Sequence, residues 1–166
     1  MQKILDIAHR ERIYIAYRDL QSTGDAQGLY FIHPRAGPMI LLDKSLLTRP
    51  KQHRCIAAHE LGHHFYPPRN SAIAFHRSNH YSNISSQTAI IIQQDENKAL
   101  HWATELLMPS AEVWAALQDG YNTVPLLAEH FNVTEWFVRA KIGFLRREER
   151  GQERKVKWRN MIKREL

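Results

Sequence analysis

Two histidines and a glutamate stand at a spacing that suits metal chemistry, in the segment Ala57-Ala58-His59-Glu60-Leu61-Gly62-His63-His64. On a helix, residues four apart share a face, so His59 and His63 can bind one ion from adjacent turns. Glu60 is offset by about 100°, beside the ion, where a carboxylate can take a proton from water. Zn²⁺ suits this arrangement because histidine nitrogens are among its preferred ligands. It also lowers the pKa of a bound water molecule to about 7, so a carboxylate can act as the base at neutral pH. The motif therefore predicts a zinc site with Glu60 as general base. The alternative is a helix whose histidines only pack or face solvent.

A catalytic zinc site needs a third protein ligand, and Glu96 is the predicted one. It continues the apolar stripe of a predicted helix, where a carboxylate is costly to bury unless it is paired or bound to metal. Three apolar residues lie within about 40° of it at 100° per residue: Leu100, Ala103 and Leu107. Asp95 is the nearest competitor, and Glu105 is predicted on the solvent side. Glu96 could instead be a helix-terminal charge that the helix dipole favours.

Some polar residues could line the cleft of such a site and stabilise an oxyanion: His64, His76, His80 and Tyr81. The simpler interpretation of each one is a loop or surface residue. Gly62 and Ala58 are small, and they allow another element to approach the metal-binding helix closely.

The elements that must position these residues follow from the apolar pattern. The pattern predicts, in chain order, a helix over 1–10, a strand over 12–18, a hairpin of runs 29–32 and 39–42, and a helix over 51–65. A long loop over 66–88, a short apolar run at 89–92, and helices over 95–108 and 111–118 follow. Strands followed by helices favour an α+β fold.

Two stretches resemble the ImmA/IrrE family of metallopeptidases: 57–63, which holds the H-E-x-x-H motif, and 96–109, which is similar to the family's E-x-x-A-N-x-F-A-x-x-L-L-M-P signature. The resemblance implies a zincin-like α+β domain with Glu96 as third zinc ligand. Leu100 stands where the family often has Asn or Asp, and Trp102 replaces Phe. The resemblance also implies site-specific cleavage of a helix-turn-helix transcriptional repressor, an antirepressor role often encoded on phages or mobile elements.

The C-terminal part predicts a helix-turn-helix-like module. Ala128 is small enough for a helix crossing, Asn132 suits a left-handed turn, and Thr134 suits a cap. Arg139 and Lys141 could contact DNA, whereas the bulky Trp136 and Phe137 are predicted where they would meet a groove. The simpler interpretation is a helical packing module. The predicted domains are therefore a peptidase domain over 1–109, this module over 110–145, and a basic tail over 146–166.

Composition limits the functional classes. The single cysteine, Cys55, excludes an intramolecular disulfide, and no signal-like or membrane-spanning apolar run is present. We therefore expect a cytoplasmic protein that does not bind membranes. The tail holds nine Lys/Arg and four Glu, +5 of the net charge of +6, which predicts at most weak, non-specific nucleic-acid binding. The competing functional class is a DNA-binding transcriptional regulator whose metal site is structural or vestigial.

Overall fold

The computed structural model describes residues 1–20, 26–69 and 86–165, with side chains described through residue 151. The described residues form, in chain order, α1 (Gln2–Arg10), β1 (Tyr14–Arg18), β2 (Gly28–His33), β3 (Gly37–Asp43), a 3₁₀ turn (Lys44–Thr48), α2 (Pro50–Phe65), α3 (Ser86–Leu107), α4 (Ser110–Gln118), α5 (Val124–His130) and α6 (Glu135–Glu165). The predicted α+β class is confirmed. None of these helices is both long and apolar enough to cross a membrane.

The sheet has three strands in the order β1-β3-β2. β2 and β3 form the predicted antiparallel hairpin, and β1 pairs with β3 in parallel. The hairpin turn closes at Gly37, whose φ of 81° is easily adopted only without a side chain. His33 supports the turn, since its Nδ1 accepts hydrogen bonds from the backbone N–H groups of Arg35 and Ala36. Because β3 is central, β2 is an edge strand of the sheet that the described residues form.

Helix α2 packs against β2 and β3 of the sheet and against α3. Its beginning at Pro50 and its end at Phe65 agree with the predicted bounds, since proline suits a first turn and Pro67-Pro68 prevents continuation. One apolar cluster runs from Ile4 in α1 to Leu145 in α6 and includes buried residues of α2. The boundary predicted at residue 109 falls between α3 and α4. The separation into domains stays a prediction.

Helix α3 is longer than predicted. It begins at Ser86, so the apolar run at 89–92 is its first part and not a separate element. The helix has no proline or glycine to break it there, and its exposed early turns obscured the periodicity. Of the predicted loop over 66–88, residues 70–85 lie outside the described residues.

The C-terminal helices α5 and α6 are joined by a short turn in which Asn132 has a φ of 52°, as predicted. Phe137, however, is fully buried and does not face outward, because it fills the core beside Val133. Lys141 is also fully buried, so it is not accessible for the contact with DNA that the DNA-binding alternative gives it. The Thr134 hydroxyl lies 3.5 Å from Cys55 Sγ. Helix α6 continues through the basic segment to Glu165.

Candidate metal centre

The C-terminal half of α2 brings His59, Glu60 and His63 together. The two imidazole rings lie one turn apart, with centroids separated by 4.7 Å and planes inclined by 74°. The His63 side chain is 6% exposed and that of His59 is 16% exposed, so both rings point inward from a helix that packs on two sides. The four-residue spacing thus places two nitrogen donors on one buried face.

A glycine allows α3 to approach this face. A methyl group at Gly62 would lie only 2.9 Å from the carbonyl carbon of Ala99, so the two backbones are in direct contact. Ala99 is one turn beyond Glu96, whose carboxylate therefore reaches both rings. Glu96 Oε2 lies 3.1 Å from Nε2 of His59, and Oε1 lies 3.4 Å from Nε2 of His63.

The donor set fits a zinc ion. One ligand atom from each of His59, His63 and Glu96 lies within 4.8 Å of the others. Two imidazole nitrogens and one carboxylate oxygen are the ligands of a common catalytic zinc site, which leaves a position for water or substrate. Among described residues with metal-binding groups, these are the ones that converge in this way.

A small cavity of about 80 Å³ opens in front of the donors. Its lining combines the three metal-binding donors and Glu60 with residues of β2 and of the segment after α2: Gly28, Leu29, Tyr30, His59, Glu60, His63, Pro68 and Glu96. Glu60 is 7% exposed and packs against the edge strand, since a methyl group at Gly28 would lie 2.7 Å from its Oε1. The carboxylate therefore lies beside the donors and borders the same cavity. A glycine at the start of an apolar strand was the sequence signal for this close approach.

Asp95, the competing ligand, points elsewhere. Its carboxylate is buried and paired with Arg69, whose Nη2 lies 3.0 Å from Oδ1. Burial alone would raise the pKa of Asp95, but the hydrogen bonds and charge of Arg69 outweigh it and the pKa lies below the usual value. Glu105 is not on the solvent side as predicted. It is half-buried and pairs with the buried Lys141, because α6 packs on that side of α3.

Tyr30 is a cavity residue that the sequence did not single out. Its hydroxyl lies 3.1 Å from Nδ1 of His64. Burial raises the pKa of Tyr30 above its already high ordinary value, so the phenol is protonated at neutral pH. Nε2 of His64 lies 3.9 Å from Glu11. His76, His80 and Tyr81, the other predicted cleft residues, lie outside the described residues.

Leu100 and Trp102, the two residues that differ from the family signature, both take part in packing. Leu100 is partly buried and packs against the hydrophobic core. Trp102 stacks on Phe65, with ring centroids 4.6 Å apart and planes inclined by 28°.

An α+β fold with an H-E-x-x-H helix facing a glutamate from a second helix has the layout of a metallopeptidase. The sequence model of the peptidase M78 family, described as the IrrE N-terminal-like domain, matches residues 8–142. The chain therefore belongs to this peptidase family, and the resemblance to ImmA/IrrE proteins is confirmed. The search of curated proteins and the search of solved structures gave no significant match.

Proposed function

We propose that the protein is a zinc-dependent endopeptidase in which His59, His63 and Glu96 bind the metal and Glu60 is the general base. The observation that carries this proposal is the shared cavity. Three convergent donors and a separate, buried carboxylate border the same small space. A structural metal site needs no such carboxylate, so Glu60 favours an enzyme over a regulator with a structural or vestigial site.

The proposed chemistry is hydrolysis of a peptide bond. A zinc ion held by His59, His63 and Glu96 would act as a Lewis acid, polarising the scissile carbonyl and making water more acidic. Glu60 takes the proton from the attacking water and passes it to the departing amine nitrogen. Its burial and its contact with Gly28 fix the carboxylate in the cavity. Tyr30 lines the cavity, and we assign its hydroxyl, which pairs with His64 in this structure, as the donor to the developing negative charge on oxygen.

The proposed substrate is an extended segment of another protein. β2 is an edge strand, and its residues Gly28 to Tyr30 border the cavity. An extended peptide can pair with such an edge through backbone hydrogen bonds and so lie across the donors. This pairing reads little of the side-chain sequence, so selectivity must come from docking elsewhere. We propose a helix-turn-helix repressor as partner, held by the C-terminal helices and the basic segment of α6, which raise the local concentration of its cleavable segment.

The decisive experiment compares the wild type with Glu60→Gln. Both proteins should bind about one zinc per chain by elemental analysis, since Glu60 is not a ligand. Only the wild type should release a discrete fragment from a coexpressed helix-turn-helix repressor, identified by mass spectrometry. Glu96→Ala should lose zinc and cleavage together.

Three results would contradict the proposal in different ways. A wild type that takes up no zinc would exclude the metal centre. A Glu60→Gln variant that cleaves at the wild-type rate would exclude the assigned base. An intact repressor together with rapid cleavage of unstructured casein would indicate a general peptidase.

A further inference from the structure

We propose that Arg69 is a positioning residue for the metal ligand Glu96 and acts through Asp95. This inference rests on the proposed zinc site. Arg69 makes several hydrogen bonds with the turn of α3 that comes directly before Glu96. Its backbone N–H and its Nε donate to the Asp95 carboxylate at 2.9 and 3.2 Å. Its Nη2 donates to the Ile91 carbonyl at 3.3 Å and to Gln94 Oε1 at 3.0 Å.

The contact lies where α3 enters the core. The buried residues of α3 are Asp95, Ala99, Ala103, Thr104 and Leu107. Asp95 is the first of them, and the helix before it is exposed or half-buried. Packing against α2 therefore holds the later turns of α3, whereas polar contacts tie the turn before Glu96 to the segment after α2. Arg69 supplies these contacts directly beside the ligand.

Arg69 also follows Pro68, which borders the cavity. One residue thus fastens two parts of the site, because its backbone fixes the segment that leaves α2 and its guanidinium fixes the helix that carries Glu96. The Asp95 side chain is only 4% exposed, so its charge requires a partner. Metal ligands tolerate displacements of about 0.2 Å, so loosening this turn should reach the metal.

The test is the zinc affinity of the full-length protein, measured by competition with a chelator. Arg69→Gln should weaken zinc binding about tenfold, at the lower end of the range for residues that orient a ligand. Lys98→Gln is the matched control. Lys98 Nζ is also close to the Asp95 carboxylate, at 3.8 Å, but it is exposed and, within the part of the chain that the structure describes, makes no bridge to the segment after α2. Its variant should bind zinc as the wild type does.

A second control separates positioning from general destabilisation. Lys141→Met removes the buried ion pair at the other end of α3 and should lower the unfolding temperature while leaving zinc affinity unchanged. Asp95→Asn should weaken zinc binding. Combining it with Arg69→Gln should weaken zinc binding little further, since both variants remove the same contact between Arg69 and Asp95. Asp95→Asn also leaves no buried charge, which protects the fold of the double variant.

The outcomes are distinct. Wild-type zinc affinity in Arg69→Gln, or equal weakening in Arg69→Gln and Lys141→Met, would overturn the positioning role while leaving the proposed function intact. A wild type without zinc would overturn both.

Discussion

Replacing Gly62 with alanine tests directly whether helix packing creates the metal site. The added methyl group would lie 2.9 Å from the carbonyl carbon of Ala99 and 3.1 Å from its Cα, whereas ordinary contacts begin near 3.4 Å. Both partners are backbone atoms, so no side-chain rotation relieves the clash. To lengthen the 2.9 Å separation to an ordinary contact of 3.4 Å, α3 must move away from α2 by at least about 0.5 Å.

That displacement should be transmitted to Glu96, one turn away on the same rigid helix. It exceeds the roughly 0.2 Å tolerance of metal–ligand distances. We expect zinc affinity to fall at least about tenfold, or roughly 1.4 kcal/mol. Overpacking should cost about 1–3 kcal/mol of folding stability. The gain in helix propensity from alanine, about 1 kcal/mol, offsets part of that cost.

The assay pairs chelator competition with thermal unfolding of the metal-free protein. Gly143→Ala is the matched control, since Gly143 is also helical and its methyl group would make only an ordinary 3.6 Å contact with Arg147. This control should bind zinc normally and unfold at the same or a higher temperature. If Gly62→Ala behaves like Gly143→Ala in both measurements, the close contact does not position Glu96 and the reasoning fails.

Further expectations concern the base, the acid stability and the tail. Gly28→Ala would place a methyl group 2.7 Å from Glu60 Cγ, so cleavage should fall about tenfold or more while elemental analysis finds unchanged zinc. Burial raises the pKa of Glu105, but the hydrogen bonds from Lys141 and Ser110 and the charge of Lys141 outweigh that effect, so the folded-state pKa lies below its ordinary value. This stabilisation is present above about pH 4.5 and is lost as the pH falls through the folded-state pKa. The difference in unfolding temperature between wild type and Glu105→Gln should therefore shrink in acid, and a constant difference would contradict it. Deleting 146–166 should weaken binding to random duplex DNA in a salt-dependent manner without removing zinc, whereas a salt-resistant footprint on one sequence would argue for specific recognition.

Much of the site was accessible from sequence because its determinants are local. The four-residue spacing of His59 and His63 fixes their common face as soon as the segment is helical. The prolines after α2 mark its end, and the apolar runs around Gly37 predict the hairpin. Glu96 is farther along the chain, and its angular position relative to the apolar stripe favours it over Asp95, although Asp95 is the more deeply buried of the two and pairs with Arg69. These features need no knowledge of how the helices pack.

The incorrect predictions arise where a second helix decides the environment. At about 100° per residue, Glu105 lies on the opposite side of α3 from Glu96. The sequence predicts solvent on that side. Helix α6 packs there, and its buried Lys141 pairs with Glu105. The helix-turn-helix interpretation predicts Phe137 on the face that would meet a DNA groove, yet this residue is fully buried. One amphipathic stripe predicts one packing partner, whereas these helices contact several.

Contacts along α2 explain why the C-terminal helices matter to the site even without a nucleic-acid partner. The N-terminal half of α2 contacts the turn between α5 and α6, where Arg54 donates a hydrogen bond to the carbonyl of Asn132 at 3.0 Å. Gln52 accepts from the Trp136 indole at 3.1 Å, and Cys55 lies against Thr134. The C-terminal half of the same helix carries the two histidines and Glu60. A helix of 16 residues would be marginal alone, so the packing at one end stabilises the geometry at the other. The α5–α6 turn therefore supports α2, the helix that carries the candidate metal ligands His59 and His63.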